Sequence, residues 1–289
     1  MRYIGLLLLL SIGLNADART WRLSPDWHAR FKADTDTIIR KQSASVGVSY
    51  GSDASFFGRT GPVKYPYFTA DAIYNTKNGF FIYGSVWKVK GSEPTFDELD
   101  LGGGYLFTPS KTYSGSVSYT RFFFNRYAEI IKSASSNDIN VKNSVDLKLF
   151  KTSLVVDALF GESHDFFITW SNSRYFETSW SIFDDKDYLS FNPAVNIIVG
   201  TQNFVQKYSI NHQFDGYEPP LIDPNDPKFA RRNSELNMLN YSFKLPIAYN
   251  RPHYTLEAAW KYSIPVNVEG QLHNHKETFF NLTFYYVFY

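Results

Sequence analysis

The sequence predicts an all-β chain, an antiparallel transmembrane β-barrel of about 12 strands, and three observations predict it. Polar and apolar residues alternate with period two through most of the chain. The alternating runs are longer than the five or six residues usual for soluble strands. Beyond residue 18, no apolar stretch approaches the length a membrane helix needs.

The alternation is read residue by residue. In Ala44-Ser45-Val46-Gly47-Val48-Ser49-Tyr50 the even positions are apolar or aromatic and the odd ones are Ser or Gly. A strand sends these two sets to opposite faces. The pattern returns as Phe68, Ala70, Ala72 and Tyr74 against Thr69, Asp71 and Asn75, and as Tyr113, Gly115, Val117 and Tyr119 against Ser114, Ser116, Ser118 and Thr120. It continues with Val141, Val145, Leu147 and Leu149 against Lys142, Ser144, Asp146 and Lys148. A further run sets Tyr254, Leu256, Ala258, Trp260 and Tyr262 against Thr255, Glu257, Lys261 and Ser263. Strands are expected near 43–58, 64–75, 79–90, 96–108, 112–126, 139–150, 152–162, 165–183, 187–201, 234–248, 253–264 and 276–289.

The connections sort by length. Asn75-Thr76-Lys77-Asn78, Pro109-Ser110-Lys111, Lys151, Asp184-Asp185-Lys186 and Asn250-Arg251-Pro252 are short and polar, and all fall on one side of the count. The opposite side takes 202–233 and 265–275. The first of these holds Pro219-Pro220, Asp223-Pro224-Asn225-Asp226-Pro227 and Arg231-Arg232. A turn at Ser171-Asn172-Ser173-Arg174 together with a strand over Phe204–Phe214 would give 14 strands instead.

Residues 1–18 read as an export signal. Arg2 precedes the apolar stretch from Ile4 to Leu14, and Ala16-Asp17-Ala18 offers small residues where a signal peptidase reads, so the mature chain is expected to begin at Arg19. Residues 19–42 lack alternation and are expected to form a tail or plug, which leaves 43–289 for the barrel. With no cysteine, the chain has neither a disulfide framework nor a lipidation site. A net charge of +1 gives no nucleic-acid footprint.

Glu277 to Tyr289 reads Glu-Thr-Phe-Phe-Asn-Leu-Thr-Phe-Tyr-Tyr-Val-Phe-Tyr. Here the chain resembles the outer-membrane β-barrel proteins of Gram-negative bacteria, whose last strand alternates apolar residues and ends in an aromatic. The resemblance is one of architecture and covers nearly all of the mature chain. It implies location in the outer membrane among its lipids. It also implies an assembly signal in Phe280, Leu282, Phe284, Tyr286, Phe288 and Tyr289, recognised by the barrel-assembly machinery. The departure is one of register, since the shared face ends at Phe288 rather than at Tyr289.

The same registers place Asp71, Glu98, Asp100, Lys142, Asp146, Lys148, Asp157, Glu257, Lys261 and Glu277 on the lumen side. The function expected is a passive, porin-like channel for small solutes. The alternatives are a structural, adhesive or partner-docking barrel with a blocked lumen, and an outer-membrane lipid hydrolase. Barrel hydrolases such as the phospholipase A and the lipid A deacylase set a Ser and a His two apart on one strand. No His-x-Ser occurs here, and Ser163-His164 are adjacent and diverge, so no catalytic residue is assigned. His273-Asn274-His275 lacks a third ligand for a metal, and no cofactor is implied. Gly102-Gly103-Gly104 precedes no helix and reads as a bend that leaves lumen space. Lys88 and Arg121 fall on lipid faces, near strand ends where long basic side chains reach headgroups.

Overall fold

The computed structural model describes residues 42–61, 63–92, 95–125, 135–205, 233–269 and 272–289. The expected signal peptide lies outside these residues, as does the expected tail or plug save for Gln42.

Fourteen strands form in the described residues. They are β1 (Ser43–Gly51), β2 (Tyr67–Asn75), β3 (Phe80–Val89), β4 (Glu98–Phe107), β5 (Tyr113–Phe124), β6 (Ser135–Asp146) and β7 (Lys151–Gly161), followed by β8 (His164–Ser173), β9 (Phe176–Glu177), β10 (Tyr188–Phe191), β11 (Ala194–Gly200), β12 (Asn237–Asn250), β13 (Tyr254–Pro265) and β14 (Glu277–Phe288). Twelve of them close a barrel. Strands β1 to β8 pair in sequence, β8 pairs with β11, β11 to β14 pair in sequence, and β14 returns to β1 through Ala44↔Phe288 to Gly51↔Asn281. Every pairing is antiparallel, and closure leaves no barrel strand with an unpaired edge.

The period-two alternation fixes the faces. The apolar set stands outward and exposed, from Phe284 at 40% through Val46, Val48 and Phe68 to Ile82 at 65%. An apolar band of this extent needs an apolar solvent to cover it. Inside, aromatic rings lie against glycines of the next strand. A Cβ on Gly102 would meet the Tyr83 ring at 2.6 Å, one on Gly104 the Phe81 ring at 2.8 Å, and one on Gly51 the Tyr67 ring at 2.3 Å. The run Gly102-Gly103-Gly104 is therefore not open lumen space as expected. Two of its glycines are the seats of neighbouring rings.

Beyond β9 and β10, the structure departs from the expected strands in four places. The expected strand 43–58 ends at Gly51, and the chain then turns inward. The expected strand 139–150 runs instead from Ser135 to Asp146, so Leu147 and Lys148 fall in a turn in which Lys148 takes φ +66°. The expected strands 165–183 and 187–201 are each broken, at 174–175 and at 192–193. Pro193 cannot donate to the ladder, and neither can Pro246, whose carbonyl accepts the N–H of Asn192 at the break. β9 and β10 therefore continue the β8–β11 hairpin as an extra pair, with β10 held on the end of β12 through Tyr188↔Asn250 to Phe191↔Ile247. In place of the alternative strand over Phe204–Phe214, residues 203–205 form one helical turn, and 206–214 lie outside the described residues.

The start of β1 and the end of β14 share one rim, the terminal rim, with the connections 76–79, 108–112, 147–150 and 251–253 and the β9–β10 pair. The opposite, far rim carries 52–61, 63–66, 201–205, 233–236, 266–269 and 272–276.

Candidate functional site

The interior is lined by the polar set of each strand. Hydroxyl and amide ladders run between neighbours: Ser49 to Thr283 at 3.1 Å, Ser144 to Ser153 at 2.8 Å, and the Asn140 amide donating to Asp157 at 2.6 Å. Charge is set among them. Lys244 lies 3.9 Å from Glu257, its register partner Lys261 sits 5.0 Å over the Phe279 ring, and the Trp87 indole N–H donates to Asp100 at 3.2 Å.

Of the ten residues the sequence places on the lumen side, Asp71, Glu98, Asp100, Lys142, Asp157, Glu257, Lys261 and Glu277 lie on the face opposite the exposed apolar set. Glu98 is fully buried and Asp100 and Asp157 are nearly so. Asp146 ends β6 at the terminal rim, where its carboxylate accepts the backbone N–H of Lys148 at 3.0 Å. Lys148 is the correction: it is exposed in the turn and does not line the interior. The reading omitted Asp138, Asp165 and Lys244. Lys244 was legible, since Asn240, Ser242 and Lys244 alternate with Tyr241, Phe243 and Leu245.

The main feature the sequence reading missed is the segment 52–61, which folds into the far mouth. Phe56 and Arg59 exchange backbone hydrogen bonds at 2.8 Å around Phe57 and Gly58, whose φ values are +46° and +78°. Two left-handed central residues make the tight turn of a two-residue hairpin. Gly58 suits it, and a Cβ there would stand 2.4 Å from Cβ of Asn240. Phe57 carries a backbone cost of about 1–2 kcal/mol in that region. It is held there by stacking on Phe167 at 3.7 Å between ring centroids and 4° between planes. Phe56 meets Phe167 and Phe204 edge-on, at 5.8 and 4.9 Å. With Leu159, Ile198, Val205, Leu239 and Leu272, these rings make an apolar cluster at the far end of the interior.

Arg59 pins this turn. Its side chain is wholly buried, and its guanidinium donates to Gln202 Oε1 at 3.0 Å and to the carbonyls of Leu239, Val266 and Asn267 at 2.6, 2.7 and 3.2 Å. Burial pushes the guanidinium down to about 10, so it stays charged at neutral pH. Asp53, at the root of the turn, accepts the N–H of Tyr65 at 2.8 Å, and burial raises its carboxyl above the ordinary value. Glu277 ties the turn to the last long connection: one carboxylate oxygen accepts the Thr60 hydroxyl at 2.6 Å and the other meets His273 Nδ1 at 2.7 Å. Hydroxyl and imidazole thus share a carboxylate rather than bonding each other, which is not the order a nucleophile and its base require. The rings of His273 and His275 stand edge-on at 5.0 Å, and among the described residues no group of three His, Asp or Glu is placed to hold a metal.

On the outer face, Lys88 donates to the carbonyl and hydroxyl of Ser92 at 2.6 Å each, and Arg121 donates to Asn137 at 2.9 Å. Both lie near the far rim, where polar partners replace water.

No family model matches the sequence, and no curated protein does. Solved structures are similar to the chain at low identity. The KdgM porin is 7% identical over 85% of this chain and 99% of its own, with a TM-score of 0.49. The NanC porin is 11% identical over 83% and 98%, with a TM-score of 0.46. LpxR from Salmonella typhimurium is 7% identical over 84% and 99%, with a TM-score of 0.44. The closed, 12-stranded antiparallel β-barrel is read from this chain's own strand pairings.

Proposed function

We propose that this chain is a barrel of the bacterial outer membrane that passes small hydrophilic solutes, with the terminal rim in the periplasm and the far mouth narrowed by residues 52–61. One observation carries the reading. A face of hydroxyl, amide and charged side chains lies inside a closed wall whose outside is apolar. A lumen so lined holds water, and water is what a small polar solute needs to cross lipid. A lipid hydrolase draws no comparable support, because among the described residues the hydroxyl–carboxylate–imidazole group of Thr60, Glu277 and His273 is ordered for holding loops together. A blocked barrel would show no conductance in single-channel recording.

Location follows from the expected signal and the outward apolar band. The mature protein is expected to begin at Arg19 and to fractionate with outer membranes. N-terminal sequencing and sucrose-gradient fractionation check this, and recovery as a soluble periplasmic protein would overturn it.

Ion preference follows from the lining. Asp71, Glu98, Asp100, Asp138, Asp157, Asp165, Glu257 and Glu277 stand against Lys142, Lys244, Lys261 and Arg59. Among these twelve, acids outnumber bases two to one. Pairs such as Lys244 with Glu257 add little field in a wet lumen, and the remainder selects by sign. A weak cation preference is expected in reversal potentials across a KCl gradient. It should fade as salt shortens the screening length below about 10 Å. Anion preference would show that basic residues of the long loops govern the mouth.

A further inference from the structure

The pair β9–β10 and the turn between its strands belong to no barrel function yet described. The segment 174–193 leaves the wall at the matched break opposite Pro246, on the terminal rim. It is prebuilt rather than a slack loop. The Asp187 carboxylate accepts the backbone N–H groups of Ile182, Phe183 and Asp184 at 2.6, 2.9 and 3.3 Å, and the Tyr249 hydroxyl at 2.9 Å. Tyr249 shares the outward face of β12 with Tyr241, Phe243 and Ile247, so this bond lays the turn against the outside of the barrel. Arg251 closes the arrangement by pairing with Asp184.

What the turn presents is large and apolar. Phe183 is 79% exposed and Trp180 is 58% exposed, with Ile182 and Phe176 beside them. Order of this kind, spent on holding aromatic side chains in the open, points to something that covers them.

The arrangement favours one occupant. Phe183 meets Tyr249 edge-on at 5.9 Å, Tyr249 lies 6.2 Å from Tyr254, and Tyr254 lies 5.9 Å from Phe284. The exposed patch is therefore continuous, ring by ring, with the outward band of the wall. At the tip, Asp184, Asp185 and Lys186 follow Phe183 directly, so charge and aromatic surface alternate within one turn. Hydrocarbon would reject the charges and bulk water the rings, whereas the headgroup layer accepts both.

We propose that the 174–193 extension is a membrane-interface foot, seated in the headgroup layer of the periplasmic leaflet with Trp180 and Phe183 turned into the lipid. It rests on the outer-membrane reading. The foot widens the aromatic footprint of the β11–β12 side and fixes how deep that side of the barrel sits.

Tryptophan quenching in bilayers tests it. Full-length mature protein and W180F are refolded into phosphatidylcholine bilayers whose lipids carry bromine either near the headgroup end or toward the middle of the acyl chain. The emission lost in W180F reports Trp180. It is expected to be quenched severalfold more by shallow than by deep bromines, while Trp260, in mid-strand on the outward face, follows the deep ones. W180F/F183W moves the reporter three residues and should keep the shallow pattern. If the Trp180 component is untouched by bromine at both depths and quenched by aqueous iodide, the foot stands in water and the proposal fails, leaving the patch to a periplasmic protein. If bromine quenches no tryptophan at all, Trp170 and Trp260 included, it is the outer-membrane reading that fails.

Discussion

Replacing Arg59 with alanine is expected to open the far mouth of the barrel without unfolding the wall. The guanidinium binds four acceptors contributed by Gln202, Leu239, Val266 and Asn267, one in β12 and three in the connections that follow β11 and β13. Hydrogen bonds from a charged donor contribute about 1.5–3 kcal/mol each. Removal takes this donor from the Val266 carbonyl and Gln202 Oε1, while the Leu239 carbonyl keeps the N–H of Val266 and the Asn267 carbonyl keeps Nε2 of Gln202. A local loss of about 2–4 kcal/mol is the expected scale. That exceeds what the stacking of Phe57 on Phe167 can offset, at about 0.5–1.5 kcal/mol beyond area burial, while Phe57 also carries its own backbone strain. The turn should swing out, because the barrel ladder itself includes none of its residues. Single-channel recording is expected to show higher conductance, and chymotrypsin to cut after Phe56 or Phe57, which the wild type keeps in the apolar cluster. R59K keeps the charge but cannot reach four acceptors at once, and should fall between. Wild-type conductance from a variant whose turn is cut by chymotrypsin would show that residues 52–61 do not set the width of the passage.

The second large effect lies at the other end of the chain. Phe284, Tyr286 and Phe288 stand outward on β14, the strand that closes the barrel against β1. Phe288 is half exposed and packs on Tyr286 at 4.8 Å, and Tyr286 in turn lies parallel to the His253 ring at 6.1 Å. Changing all three to serine removes about 1.5–3 kcal/mol of lipid-covered surface at each. It does so where every closing hydrogen bond must form, so insertion is expected to fail. Heat-modifiable gel mobility is the measurement. If the triple variant shows wild-type mobility and yield, the outward face of β14 does not direct assembly.

Much of the wall could be read before any coordinates. Period-two alternation is local: Val46 and Val48 face one way and Ser45 and Ser49 the other because consecutive side chains of a strand must. A register slip by one residue would turn every ring inward, so the pattern also fixes Asp71, Lys142, Glu257 and Lys261 on the inner face. Where strands stop was less legible. Lys148 continues the alternation of β6 in sequence but lies past its end, since ladder length is set by the neighbouring strand, and Asp146 is paired with Lys151 across a tight turn. The extra pair β9–β10 was hidden for a similar reason. Its break depends on Pro193 meeting the position of Pro246, residues more than fifty apart in the chain.

The sequence by itself determined the class of fold, the count of barrel strands and which residues face outward, because these follow from side-chain period and backbone pairing alone. Only the tertiary structure decided what closes the far mouth and what stands at the terminal rim. Phe56 and Phe57 read as the tail of a strand, and Arg59 as the residue after it, until the partners that bury them, Phe167, Phe204, Leu239 and Val266, are brought from more than a hundred residues away. A turn that is apolar on both sides has no local signature. Its direction is set by the cluster and by the acceptors waiting for one guanidinium, and those exist only once the barrel has closed.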